Sequence, residues 1–188
     1  AIALDPGFTA AKGALAGLNT VRFAQAWTEE GDLVEAVRCA REVVEGGGED
    51  DPSALAWAGH ALASLARDYD AGLAAADRAL ALAPNSALVL LTSGWLRAYV
   101  TESETAIPYI ERAMRLSPVD PAMFYFSTAL SLACFVGGRY AEAADWARRA
   151  VRERPGYLAG QRLLTTSLAR LGRHEEAAEA ARVLLAIA

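Results

Sequence analysis

The chain has 188 residues, 54% of them hydrophobic, with 18 basic and 23 acidic side chains and a net charge of −5. That is room for one compact domain or a short solenoid, and no apolar run reaches the roughly 20 residues that a membrane helix needs. No charged leader with an apolar core opens the sequence, and neither half carries the clustered Lys and Arg of a nucleic-acid footprint. Residues 1–94 hold 6 basic and 13 acidic side chains, a balance of −7, and residues 95–188 hold 12 and 10, a balance of +2.

Residues 1–5, AIALD, read as the tail of a helix, because ALDP repeats the endings ALAP at Pro84 and RLSP at Pro118. A long helix over about 7–29 and a second over 32–44 form a first pair, spanning about 7–46. EGGGEDDP (45–52) is an acidic connection between pairs. It has neither the Lys-Ser/Thr of a phosphate loop nor the alternating Asp of a calcium loop. Further pairs are expected over 53–82, 87–117, 121–154 and 158–188, the fourth with three extra residues in its first helix. Pro52, Pro84, Pro118, Pro121 and Pro155 fall at helix ends or first turns, where proline costs little. Pro108 falls early in a helix and predicts a displaced start or a slight bend there.

These pairs repeat one another. GDLVEA, RDYDAG, TESETA, GRYAEA and GRHEEA each join a turn to a helix. Their last residues, Ala36, Gly72, Ala106, Ala143 and Ala177, are spaced by 36, 34, 37 and 34 positions. Pro84 and Pro118 keep the same step of 34. A period near 34 is the length of a tetratricopeptide unit. The chain therefore resembles a tetratricopeptide array: one all-α domain, an α-solenoid of about five antiparallel helix pairs. The resemblance implies a right-handed superhelix. Small residues at Ala79, Ala106, Ala113, Ala143, Ala150 and Ala177 allow the close helix approach that such stacking needs.

Chemistry finds little support. No HExxH, GxSxG, CxxC or glycine-rich phosphate motif occurs. His60 and His174 fall in different repeats, at positions that read as packing. Glu29-Glu30 and Glu175-Glu176 lie near helix N-termini, where negative charge favours the helix dipole. Cys39 and Cys134 are far apart, which predicts free thiols and a reducing, cytoplasmic setting. The run Arg148, Arg149, Arg152 and Arg154 reads as the solvated face of one helix. The expectation is a non-enzyme without cofactor or metal, bound neither to nucleic acid nor to membrane.

In tetratricopeptide superhelices the first helix of each pair lines the concave face. Carried onto this chain, the resemblance puts Trp57, Leu91, Trp95, Tyr99, Tyr125, Arg162 and Arg170 on that face. The groove would be aromatic and apolar in the middle and basic toward the C-terminus. It lacks the Lys, Asn and Arg pattern of clamps for chaperone tails. Alternatively, Trp57, Trp95 and Tyr99 simply pack against adjacent helices.

AIALDPGFTAA, the first helix with Trp27, and DPAMFYFSTALSLACFVGGRYAEAADWARRAVRERPGYLAGQRLLTTSLARLGRHEEA also resemble C-terminal tetratricopeptide tails of bacterial multidomain regulators. Those include class III adenylate/guanylate cyclases and winged-helix transcriptional regulators. The expected function is a protein–protein or self-association scaffold, the regulatory region of a larger bacterial signalling protein. The alternative is a sensor holding a small apolar ligand or peptide in the groove. AARVLLAIA carries Val183, Leu184, Leu185 and Ile187 with no charge after Arg182. It predicts a homodimer through the C-terminal helix, or a further capping helix.

Overall fold

The computed structural model describes residues 7–46 and 51–187, with Ile2 and Asp5. The expected helix tail at 1–5, the glycine-rich centre of the 45–52 connection and the final residue lie largely outside them. The described residues form ten α-helices and no strand. They are α1 (Thr9–Ala24), α2 (Glu30–Glu45), α3 (Pro52–Ala61), α4 (Tyr69–Leu82), α5 (Ala87–Tyr99), α6 (Ser103–Leu116), α7 (Met123–Val136), α8 (Tyr140–Glu153), α9 (Leu158–Arg170) and α10 (His174–Ile187). They stack as five consecutive antiparallel pairs. The odd-numbered helices also pack on one another in sequence, α1 on α3, α3 on α5, α5 on α7 and α7 on α9.

Local chemistry starts several of these helices. The Asp51 carboxylate accepts the Ser53 and Ala54 amides at 2.8 and 3.2 Å, and Pro52 takes the first helical position, where its missing amide costs nothing. Asp68 caps α4 through the Ala71 amide and Ser86 caps α5 through the Val89 amide. The turn inside every pair passes through one left-handed residue: Ala26, Arg67, Thr101, Gly138 and Gly172 in chain order.

Close approach depends on missing side-chain volume. A Cβ on Gly59 would sit 2.7 Å from the Gly72 carbonyl oxygen, so α3 and α4 meet backbone to backbone. A Cβ on Gly17 would sit 2.4 Å from the Trp57 ring, which fixes α1 against α3. Ala75, Ala76 and Ala79 on α4, and Ala143, Ala144, Ala147 and Ala150 on α8, are buried. The Ser131 hydroxyl donates to the Ala143 carbonyl at 2.7 Å and ties α7 to α8.

Three local features differ from the sequence expectation. First, α1 ends at Ala24, because Ala26 turns left-handed at φ +57° and the Gln25, Ala26 and Trp27 amides fold back on the Arg22 and Phe23 carbonyls. Trp27 is left 61% exposed. Second, the extra length before the fourth pair lies mainly in the turn 117–122; α7 exceeds α5 by one residue, 14 against 13. Third, α6 begins at Ser103 and carries Pro108 inside it, forgoing the bond to the Glu104 carbonyl rather than moving its start.

Candidate functional site

The odd-numbered helices surround a cavity of about 240 Å³. Every pair contributes to its wall: Phe23 from α1, His60 from α3, Trp95 and Tyr99 from α5, Tyr125 from α7, and Arg162 from α9. Tyr157, just before α9, adds a further ring. Behind His60 the chain widens into a single π-type turn, Leu62–Ala66, closed by Arg67 in the left-handed region. That turn holds Ser64 in the wall, its hydroxyl donating to the His60 carbonyl at 2.7 Å.

His60 is 2% exposed and sits at the centre of the rings. Its Nε2 lies 3.2 Å from the Tyr99 hydroxyl and its Nδ1 lies 3.5 Å from the Tyr125 hydroxyl. The imidazole stacks on Tyr99 at 5.8 Å with an interplanar angle of 6°. Burial pushes its pKa from 6.5 down to about 4, so the ring is neutral at physiological pH. A neutral imidazole has one donor and one acceptor. One tyrosine therefore donates to His60 and the other accepts from it. Burial also pushes the phenols of Tyr99, Tyr125 and Tyr157 up, which keeps all three protonated.

Two polar groups in this wall have no partner. Trp95 is 5% exposed and Tyr157 is 2% exposed, yet the Trp95 Nε1–H and the Tyr157 hydroxyl make no hydrogen bond. A buried donor without a partner costs about 1–3 kcal/mol. Trp95 stacks obliquely on Tyr125 at 5.1 Å, and Tyr157 meets Phe124 edge-on at 4.9 Å.

The first pair closes on the fifth at the rim. Gln25, buried at the end of α1, donates through Nε2 to the Gly156 carbonyl at 3.0 Å and accepts the Leu158 amide at 2.8 Å. Arg162 reaches the Ala24 carbonyl at 3.3 Å. It is exposed and is the one charged side chain in the cavity wall.

The residues expected on the concave face therefore separate into three places. Trp95, Tyr99, Tyr125 and Arg162 share the cavity. Trp57 and Leu91 line a second hollow of about 220 Å³, which also touches Tyr125. Arg170 lies outside both; it donates to the Tyr140 hydroxyl at 2.5 Å and covers that ring at 4.8 Å. Sequence reasoning did not put Gln25, His60 or Tyr157 in the site. For His60 a signal was present, since it stands nine residues after the cap Asp51, as Trp95 stands nine after the cap Ser86. For Gln25 there was none, because its partners are 131 and 133 positions away.

Among the described residues, no three His, Cys, Asp or Glu side chains gather as metal ligands. No helix among them is long and apolar enough to cross a membrane. Cys39 and Cys134 are buried free thiols; burial pushes both up, Cys134 to about 11.

Known proteins match this chain as a fold. The tetratricopeptide repeat family model matches residues 91–157. No curated protein matches it significantly. Among solved structures, MamA 41-end from Desulfovibrio magneticus RS-1 superposes with a TM-score of 0.62 at 23% identity, covering 92% of this chain and 94% of that one. MamA of AMB-1 gives 0.61 at 24% identity over 92% and 96%, and MamA of MSR-1 gives 0.59 at 23% over 93% and 95%. At such identities the likeness concerns the backbone path. The chain is an all-α solenoid of the tetratricopeptide type, its described residues forming five antiparallel helix pairs, and the third and fourth of these carry the match to the family model.

Proposed function

We propose that this chain is a non-catalytic binding scaffold that takes one apolar or aromatic group of a protein or peptide partner into its concave face. The observation that carries the reading is the cavity among the odd-numbered helices, to which all five pairs contribute a wall residue. A concave, mostly apolar site with a few convergent polar groups is the ordinary form of a binding site. His60, Tyr99, Tyr125 and Tyr157 in the wall are neutral, and the Ser64 hydroxyl donates to a backbone carbonyl rather than to a base, which supports a binding role over catalysis.

A second reading is favoured by the Gln25 bridge. It draws the rim of the first pair onto the fifth, which suits a sensor enclosing a small apolar ligand more than a groove open to an extended peptide. On the resemblance to regulator tails, the scaffold serves as the regulatory region of a larger bacterial signalling protein in the cytoplasm. Leu185, 77% exposed beside Val183 and Ile187 on α10, supports self-association through that helix.

A random peptide library selected on the full chain tests the main reading. Selected peptides should share an aromatic anchor and lose binding when Ala159→Phe fills the cavity. Peptides that bind this variant equally well would overturn it. Small aromatic compounds that compete where no peptide is selected would favour the sensor.

A further inference from the structure

We propose that the cavity is a site for a flat aromatic group bearing a carboxylate, its ring held against the wall of Trp95, Tyr125 and His60 and its anion by Arg162 at the mouth. The inference rests on the reading of the cavity as the binding site and adds the chemistry of what enters it. Size sets the first limit. An apolar cavity of about 150 Å³ takes benzene, so about 240 Å³ suits one ring with a short substituent, or two fused rings.

Wall chemistry sets the second limit. Trp95 and Tyr125 meet at 5.1 Å, with Tyr157 edge-on to Tyr125 at 6.5 Å, so the three rings pack on one another and form one continuous aromatic wall. Such a wall suits two kinds of guest: another ring, or a cation over the ring faces. Charge decides between them. No acidic side chain lines the cavity, while Arg162 does, and no carboxylate among the described residues forms an ion pair with it. Its guanidinium donates to the Ala24 carbonyl, which leaves most of its five donors for a guest. A cation would meet Arg162 at the entrance, whereas a carboxylate would gain a bidentate partner.

Two sources present this chemistry: a free aromatic acid, or the C-terminal aromatic residue of a peptide. Titration calorimetry on the full chain, with ¹H–¹⁵N shift mapping, would use phenylacetate, phenylacetamide, 2-phenylethylammonium and acetyl-Gly-Phe with a free C-terminus. Phenylacetate is expected to bind at least tenfold more tightly than its amide, with shifts centred on the cavity wall. Arg162→Gln, on an exposed side chain, should bring acid and amide to near parity without changing the fold. Tighter binding of acetyl-Gly-Phe than of phenylacetate assigns the source to a peptide C-terminus; weaker binding assigns it to a free acid. Equal affinity of acid and amide, a preference that survives Arg162→Gln, or the ammonium binding best would overturn the inference while leaving the cavity a binding site. Shifts away from the wall, or no binding by any ring compound at millimolar concentration, would overturn both.

Discussion

The outer helices α4 and α8 bury almost nothing but alanine, while the inner helices α5 and α7 bury rings and hydroxyls: Trp95, Thr92 and Ser93 on the one, Tyr125, Phe126, Ser127 and Thr128 on the other. Alanine gives helix propensity and thinness without specific contacts. It suits a surface whose task is to let neighbours approach. Rings and hydroxyls demand partners, and some are met within the helix itself: the Thr92 and Thr128 hydroxyls donate to carbonyls four residues back. Others, on Ser93 and Ser127, are not met at all. Unmet polar groups cost stability. The inner face therefore carries composition that stacking alone would not select, whereas the outer face is what stacking selects.

The largest way to break this comparison is to remove the largest buried ring of the inner face. Trp95→Ala should lower unfolding stability by about 3–5 kcal/mol, the range for deleting a buried aromatic, measured by urea denaturation. On the outer face the corresponding insult is added volume. Ala147, buried on α8 in one cluster with Leu164 and Leu168, should lose about 1–3 kcal/mol on replacement by Leu. If Ala147→Leu cost more than Trp95→Ala, the inner rings would not be the main store of packing energy.

His60 sharpens the comparison through pH. Its partners, the Tyr99 and Tyr125 hydroxyls, stay neutral, so nothing nearby compensates a charge on it. Above pH 6.5 the imidazole is neutral in the folded and the unfolded chain and contributes no pH dependence. As pH falls below 6.5 the unfolded chain takes up the proton first, and stability declines until about pH 4, where the folded chain binds it too. The shift corresponds to about 3 kcal/mol. Exposed carboxylates also titrate over part of this range, so the test is a difference. Stability curves from pH 7 to 4 should converge for wild type and His60→Gln, the wild type losing more. Parallel curves would show that His60 is reached by solvent.

What the sequence displayed of this molecule was its period. The turns ending at Ala36, Gly72, Ala106, Ala143 and Ala177 repeat because each pair solves the same local problem, and local problems leave local signals. Trp95, Tyr99, Tyr125 and Arg162 could be assigned to one face for the same reason, since helical spacing sets the face. Whether that face was an open groove depended on Gln25 meeting Gly156 and Leu158 across the array, and no spacing rule reaches that far. The end of α1 was equally hidden. It turns at Ala26, a residue that ordinarily favours helix continuation.

The smallest effect lies in the turns that join inner to outer helices. All five pass through the left-handed region, yet only the last two place glycine there, Gly138 at φ +76° and Gly172 at +72°. Thr101 takes the same role at +64°. A β-branched residue is strained in that region, at roughly 1–2 kcal/mol. Glycine would remove the strain but would give the unfolded chain more freedom, offsetting roughly 0.5–1 kcal/mol. Thr101→Gly should therefore stabilise the chain by about 0.5 kcal/mol. The reverse change, Gly138→Ala, meets no atom within 4 Å of its new Cβ and should cost about 1 kcal/mol through backbone conformation alone. Thermal denaturation of both variants checks the pair. A destabilised Thr101→Gly together with a neutral Gly138→Ala would mean that the third turn is held by its side chain and that the five turns are not equivalent after all.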